Sequence, residues 1–573
     1  MATDLTSSVI SGSSSQTTSG QIHFAGLGSG TDFDTMITKL AQVESTRMNN
    51  LAVWKQSWAD KKAAFQGLNT KLLSLQSTLR GMSSLGSFLK KAASSNAAAI
   101  AATAGADADN TPHAVSIKQL AQNKILVTSS GYASPSAVVN SSEASQIFAY
   151  TYKGVLNSVT IPPRSTLADL RNLINTSQSY SSNSGVKSSV LYDGISYYLQ
   201  FRAMDTGSSA SLTVSASTTL AGFSGGRFQS TQNNQNALLK LDGWPVASNS
   251  WLSRQSNSIS DLVPGVTLSL KGTGTNILVT ATNDEAAIIQ NVHTFVDQVN
   301  QVLSQIRDLT KVDAKTNTGS LLTGNYGVQI IGSTLMDALT RKAAGFDYNR
   351  DKHTSLSQFG IGIDATEGSV TEGRLVVDDT VLAAAVSSNA DSLGRVFAAS
   401  YQGEADGAGF SYQSHIGGIT KPGTFPVDYT VSGGAITSAT INGHAAIIDK
   451  TNNMITGAPG QDESGLSIQI NNATDGTYSG NIYLKQGKSG EIADILKAYT
   501  DSNTGPLAVL QKNYQTIIDN IDSKIASEQR RVSQYQTDLR TRFAKLDALL
   551  GTYHSQLVSQ SSQIARMSSG KNS

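Results

Sequence analysis

Apolar residues recur every seven positions over two long stretches of this chain. In the first, Leu51, Trp58, Phe65, Leu72 and Leu79 share one seam, and Phe33, Leu40, Trp54, Leu68, Leu75 and Met82 share the other. In the second, Ile518, Ile525, Val532, Leu539, Leu546 and Tyr553 share a seam, beside Ile521, Tyr535 and Leu549. A 3.5-residue period keeps an apolar stripe facing a partner helix, so both stretches are predicted coiled-coil helices. At 1.5 Å per residue they would span roughly 75 Å and roughly 66 Å. The simplest partner for each is the other, which brings both into one stalk. Arg47, Lys61, Glu44, Glu528 and Arg542 interrupt the seams. Polar seam residues fix register and oligomer state, so packing between subunits is expected as well as pairing within the chain. The alternative is a set of long bundle helices in one monomer, with these charges reaching solvent at the edge.

Between the helical stretches the period changes to two. An alternating strand begins at His113, and residues 125–282 carry short Val, Ile, Thr and Tyr runs between Gly, Ser and Asn turns. Helical spacing returns at Ile288–Leu309, Val328–Leu339 and Asp379–Phe397, with a hairpin expected over Leu356–Val377. The predicted fold is α+β and multidomain: terminal coiled-coil helices forming a stalk and helical bundle, β-rich head domains, and an additional inserted β-domain. The expected divisions are a disordered leader (1–24), an N-terminal stalk (25–91), a β-rich head (92–131 with 229–284) and a second β-rich head domain inserted in it (132–228). A helical bundle with a hairpin (285–407), an inserted β-domain (408–488) and a C-terminal helix and stalk (489–573) complete the chain.

Length and charge narrow the classes. At 573 residues the chain exceeds one core. Its 43 Lys and Arg against 42 Asp and Glu leave a net charge of +1, too little field to draw nucleic acid. Cysteine is absent, which removes disulfides and thiolate chemistry. The Ser- and Thr-rich first twenty residues lack Lys, Arg and an apolar core, so no cleaved Sec signal is expected, and no stretch is apolar enough to insert in a membrane.

Near-motifs for catalysis are incomplete. Gly222, Ser224 and Gly226 fit G-x-S-x-G without a strand-turn-helix context or a partnered His. Gly487, Lys488 and Ser489 end like a phosphate loop, but Ile482 stands where its first glycine belongs. Gly360 and Gly362 lack a β-α-β unit, and Asp347, Asn349 and Asp351 start a calcium loop that Lys352 and Gln358 break. The seven histidines lack metal-ligand spacing. No enzyme, catalytic residue, metal or cofactor is expected.

Taken in order, several segments resemble the flagellar hook-associated protein 2 family. GLGSGTDFDTMITKLAQVES (Gly26–Ser45) is similar to the family's N-terminal turn and helix. HAVSIKQLAQ (His113–Gln122), STLADLRNLIN (Ser165–Asn175), GVKSSVLYDG (Gly185–Gly194), LKLDG (Leu239–Gly243) and SNSISDLVPGVTLSL (Ser256–Leu270) follow. FVDQVNQVLSQI (Phe295–Ile306), LSQFGIGID (Leu356–Asp364) and SEQRRVSQYQTDLRTRFAKLDALL (Ser527–Leu550) complete the series. Shorter family members have no counterpart of residues 408–487. The resemblance implies a structural cap at the distal end of the flagellar filament that promotes folding and insertion of exported flagellin and prevents its leakage. It implies an extracellular location after type III export, and as partners a homo-oligomeric ring (a pentamer), flagellin, hook-filament junction proteins and an export chaperone.

The expected oligomer or filament interface is the seams: Leu51, Trp54, Trp58, Phe65, Leu72, Leu79, Ile518, Ile525, Val532, Leu539, Leu546 and Tyr553. Trp54 and Trp58 fill the bundle core or dock a partner. The alternative function is a surface adhesin binding glycans through the β-rich head or the inserted domain.

Overall fold

The structure is a computed structural model that describes residues 32–177, 185–313 and 316–569. The leader expected over residues 1–24 lies outside them. The described residues form two compact units, one drawn from within 1–74, 304–333 and 496–573, the other from within 75–303 and 334–495.

The first unit is helical. α1 (Phe33–Glu44) starts where the Asp32 carboxylate accepts from Thr35 N at 3.0 Å, satisfying an otherwise orphaned donor. It stops at Ser45, and α2 (Thr46–Gly81) carries on, so the single helix expected from residue 33 to about 82 is two. Both run against α9 (Pro506–Ser569), the last of nine helices labelled here. Ion pairs fix an antiparallel register: Asp34–Arg540 at 3.9 Å, Glu44–Arg531 at 2.8 Å, Arg47–Glu528 at 3.2 Å and Lys55–Asp522 at 2.6 Å. Each step forward along α1 and α2 is matched by a step back along α9. The seam charges Arg47, Glu44 and Glu528 are thus consumed within one chain.

The second unit is mostly β. After α3 (Leu85–Phe88) come β1 (Lys91–Ser95), β2 (Ile100–Ala104) and β3 (His113–Gln119). The head follows: β4 (Ile125–Thr128), β5 (Gln146–Tyr152), β6 (Val155–Ile161), α4 (Leu167–Ser177), β7 (Val186–Tyr192), β8 (Tyr197–Ala203), β9 (Leu212–Val214) and β10 (Phe228–Gln232). Its sheets, β10-β4-β8-β7 and β6-β5-β9, close with α4 over a core of Phe148, Tyr150, Phe201 and Phe223. The chain then returns through β11 (Ala237–Leu241), β12 (Leu252–Arg254), β13 (Ser258–Val263), β14 (Val266–Leu270) and β15 (Gly274–Asn283). These strands join β1, β2 and β3 in two sheets, β1-β15-β3-β11-β12 and β13-β14-β2, over one core.

α5 (Glu285–Thr310), the short β16 (Val312–Asp313) and β17 (Thr318–Gly319), and α6 (Tyr326–Thr340) follow. The hairpin of β18 (Ile361–Ile363) and β19 (Leu375–Val377) precedes α7 (Asp379–Ala398), which kinks at Asn389. A second sandwich comprises β20 (Gln402–Ala405), β21 (Phe410–Ser414), β22 (Gly423–Ser432), β23 (Ala435–Ile441), β24 (His444–Ala445), β25 (Ile447–Asp449), β26 (Met454–Thr456), β27 (Ser467–Ile470) and β28 (Gly476–Lys485). In β22, Phe425, Val427, Tyr429 and Val431 are buried in alternation, as a strand with one face on a core requires. β20, which precedes residue 408, pairs with β28, so the sandwich runs from Gln402 to Lys485. α8 (Lys488–Thr500) starts directly after it.

Candidate interaction surface

In the first unit the seam residues divide by depth. Phe65 and Leu72 are buried, and Leu51 and Trp58 half-buried. Tyr514 joins the helices: its ring meets Trp58 edge-on at 5.2 Å and Phe65 at 5.4 Å, and its hydroxyl accepts from Asn325 Nδ2 at 3.0 Å. Burial pushes the Tyr514 phenol above its ordinary range. Lys61 Nζ sits 4.7 Å from the Trp58 ring, so that seam cation is spent on an aromatic face. Trp54 is exposed, with Lys524 Nζ 5.8 Å from its ring.

On α9, Ile518 is buried, and Ile525, Val532 and Leu539 are half-buried. Phe543 stacks on Phe33 at 5.1 Å. Past that stack the stripe surfaces: Leu546, Leu550, Tyr553, Leu557 and Ile564 keep the 3.5-residue spacing and are all exposed. Leu79, at the far end of α2 and part of the second unit, is fully buried.

Other sequence candidates are taken up by structure. Asp351 pairs with Lys485 at 2.7 Å, and Lys485, itself buried, also holds Glu404 at 2.5 Å. Lys488 opens α8, its Nζ donating to Ala338 O at 2.6 Å, Lys342 O at 3.2 Å and Glu491 at 3.0 Å. It caps the end of α6 and cradles no phosphate. Burial pulls its ammonium below the ordinary lysine range, against the opposite pull of Glu491. His113, His293 and His444 pair with Asp242, Asp379 and Glu463. Among the described residues no three His, Cys, Asp or Glu converge as a metal site, and no helix is long and apolar enough to cross a membrane.

Residues 29–124 match the family described as flagellar hook-associated protein 2 N-terminus, and residues 234–555, more than half of the chain, match its C-terminus. The chain belongs to the flagellar hook-associated protein 2 family. The two matches leave the head, 125–233, between them. Flagellar hook-associated protein 2 of Aquifex aeolicus is 25% identical over 351 residues, 59% of this chain and 76% of the relative. That of Escherichia coli K12 is 23% identical over 384 residues, 64% and 78%. The crystal structure of the D1-D2-D3 domains of the flagellar cap protein FliD from Escherichia coli covers 79% of this chain and 99% of its own, at TM-score 0.49 and 19% identity.

Proposed function

We infer that this chain is a structural cap at the distal end of the flagellar filament, promoting folding and insertion of exported flagellin and preventing its leakage. Family membership across both ends of the sequence carries the reading. The geometry adds a means. A helix pair closed on itself up to the Phe33–Phe543 stack offers a bare apolar seam, from Leu546 to Ile564, to further helices. A coiled-coil stripe in water gains by finding a partner helix. That seam is where the cap meets neighbouring copies in a ring, a pentamer, and the filament end beneath. Flagellin then folds under the β-rich modules, driven by its own burial of apolar surface. Type III export, an export chaperone and contact with the hook-filament junction belong to the same reading. None of the relatives named above is described as an adhesin.

The test is deletion of the gene in its host. Flagellin monomers should spill into the medium and filaments should be lost, and the intact gene should restore both. A null strain that grows normal filaments would refute the cap.

A further inference from the structure

The two β-modules of the second unit repeat one another. The larger sheet runs β1-β15-β3-β11-β12 in one and β20-β28-β22-β23-β24 in the other: in each, the module's first, last, third, fourth and fifth strands. The smaller sheets also correspond, β2-β14-β13 to β21-β27-β26, with β25 added. Topology alone could recur by chance among sandwiches, but side-chain and loop hydrogen bonds have no such reason to. Leu278 N donates to Asn96 Oδ1 at 2.9 Å while Asn96 N donates to Leu278 O; Asn481 N donates to Asp406 Oδ1 at 2.5 Å while Asp406 N donates to Asn481 O. Lys271 N and Gly272 N share the Ala99 carbonyl, and Asn471 N and Asn472 N share that of Gly409. Asp242 N donates to Ala114 O at 2.8 Å and Asn442 N to Pro426 O at 2.7 Å.

The turns agree as well. Asp242–Gly243 and Asn442–Gly443 both take two successive positive φ angles, 49° and 79° against 55° and 81°, the conformation a tight hairpin needs. Gly265 and Gly465 have φ of 70° and 75° just before β14 and β27. The flanks complete the match. Ser84-Leu85-Gly86 opens α3 and Ser392-Leu393-Gly394 lies in α7 just past its kink at Asn389, and Phe88 and Phe397, later in the same two segments, stack on each other at 4.8 Å. On the way out, Asp284 N donates to Lys90 O and Gly487 N to Ala399 O, both at 2.8 Å, and a helix begins at the next residue.

We propose that residues 392–487 are a second copy of the module built from 84–121 and 235–284, and that the copy keeps the first one's capacity: a platform seated on the helix after it, able to carry a load at the turn between its third and fourth strands. In the first copy that turn is replaced by the whole head. In the second it is closed by Gly433 and Gly434, whose amides both donate to the Asp475 carboxylate at 3.0 Å.

Two full-length variants test this, neither resting on the cap reading. In the first, residues 402–485 are replaced by 91–119 and 237–283 joined through Gly-Gly. Amide exchange should be as slow at the graft and at 486–494 as in the parent. Fast exchange there overturns the proposal. In the second, a copy of residues 120–236 is inserted between Gly433 and Gly434. The added head should melt with the native one while β22, β23 and β28 keep their protection. Loss of that protection, or an added head that stays unfolded, shows the turn is no load site and overturns the proposal.

Discussion

At the scale of single residues, one buried charge, Lys488, and one exposed charge, Asp205, can be tested directly. Lys488 has all three N–H groups occupied and no exposure, so Lys488→Met strips the donor from two carbonyls and one partner from Glu491. Arg341 still holds Glu491, at 2.5 Å. A loss of about 3 kcal/mol is expected from breaking such a buried pair, read as a lower urea midpoint. Asp205 accepts from Lys153 at 2.6 Å and from the Tyr152 hydroxyl at 2.5 Å, and these bonds lower its pKa from the ordinary 3.8. A carboxylate depressed by folding contributes stability above its unfolded pKa and loses it as pH falls through the folded value. Exchange protection of β5 and β9 should therefore weaken below about pH 4, and Asp205→Asn should flatten that dependence. A variant whose acid profile matches the parent would remove Asp205 from the account. The Ala338 and Lys342 carbonyls that hold Lys488, and the Tyr152 and Lys153 side chains that hold Asp205, lie far away in sequence, so neither role was legible from local spacing. Lys488 read as the tail of a broken phosphate motif, because a cap at the end of α6 is written in the fold alone.

At the scale of elements, the helices were legible because a heptad repeats many times, and the register was not, because sliding by seven leaves the seam unchanged. Charge decides it: Arg47 meets Glu528 and Lys55 meets Asp522, each pair worth little alone yet together incompatible with a shifted pairing. The inserted sandwich was legible as a Gly-rich, strand-rich block, but β20 is only four half-buried residues, QGEA, with no alternation to announce it. A consequence follows for excision. Removing 408–487 leaves β20 without β28 and Glu404 without Lys485, whereas removing 402–486 takes the whole sheet; Asp351 loses Lys485 either way. With the same Gly-Ser linker, the first deletion should be less stable than the second by about 2 kcal/mol, compared as urea midpoints. Equal midpoints would mean that the clamp contributes nothing.

For the whole molecule, the head, the module that carries it and the inserted sandwich each have their own core, and the paired helices fall in a different compact unit, so damage should stay where it is made. Leu539→Asp sets a carboxylate into a half-buried seam position on α9, at a cost of about 2 kcal/mol. Filament growth should stop while the melting of the β-modules is unchanged. A Leu539→Asp chain that still caps filaments would take the stripe out of the interface. The 402–486 deletion should keep capping, since its platform carries no head. The stack of Phe33 on Phe543 adds a final consequence. These rings come from opposite ends of the sequence, and pairings so distant form late, after the local hairpins of each module have closed. A chain cut between residues 500 and 543 would keep every strand of its β-modules and still be unable to make this pair. The Phe33–Phe543 stack is thus a contact that no chain can make before residue 543 has been added to it.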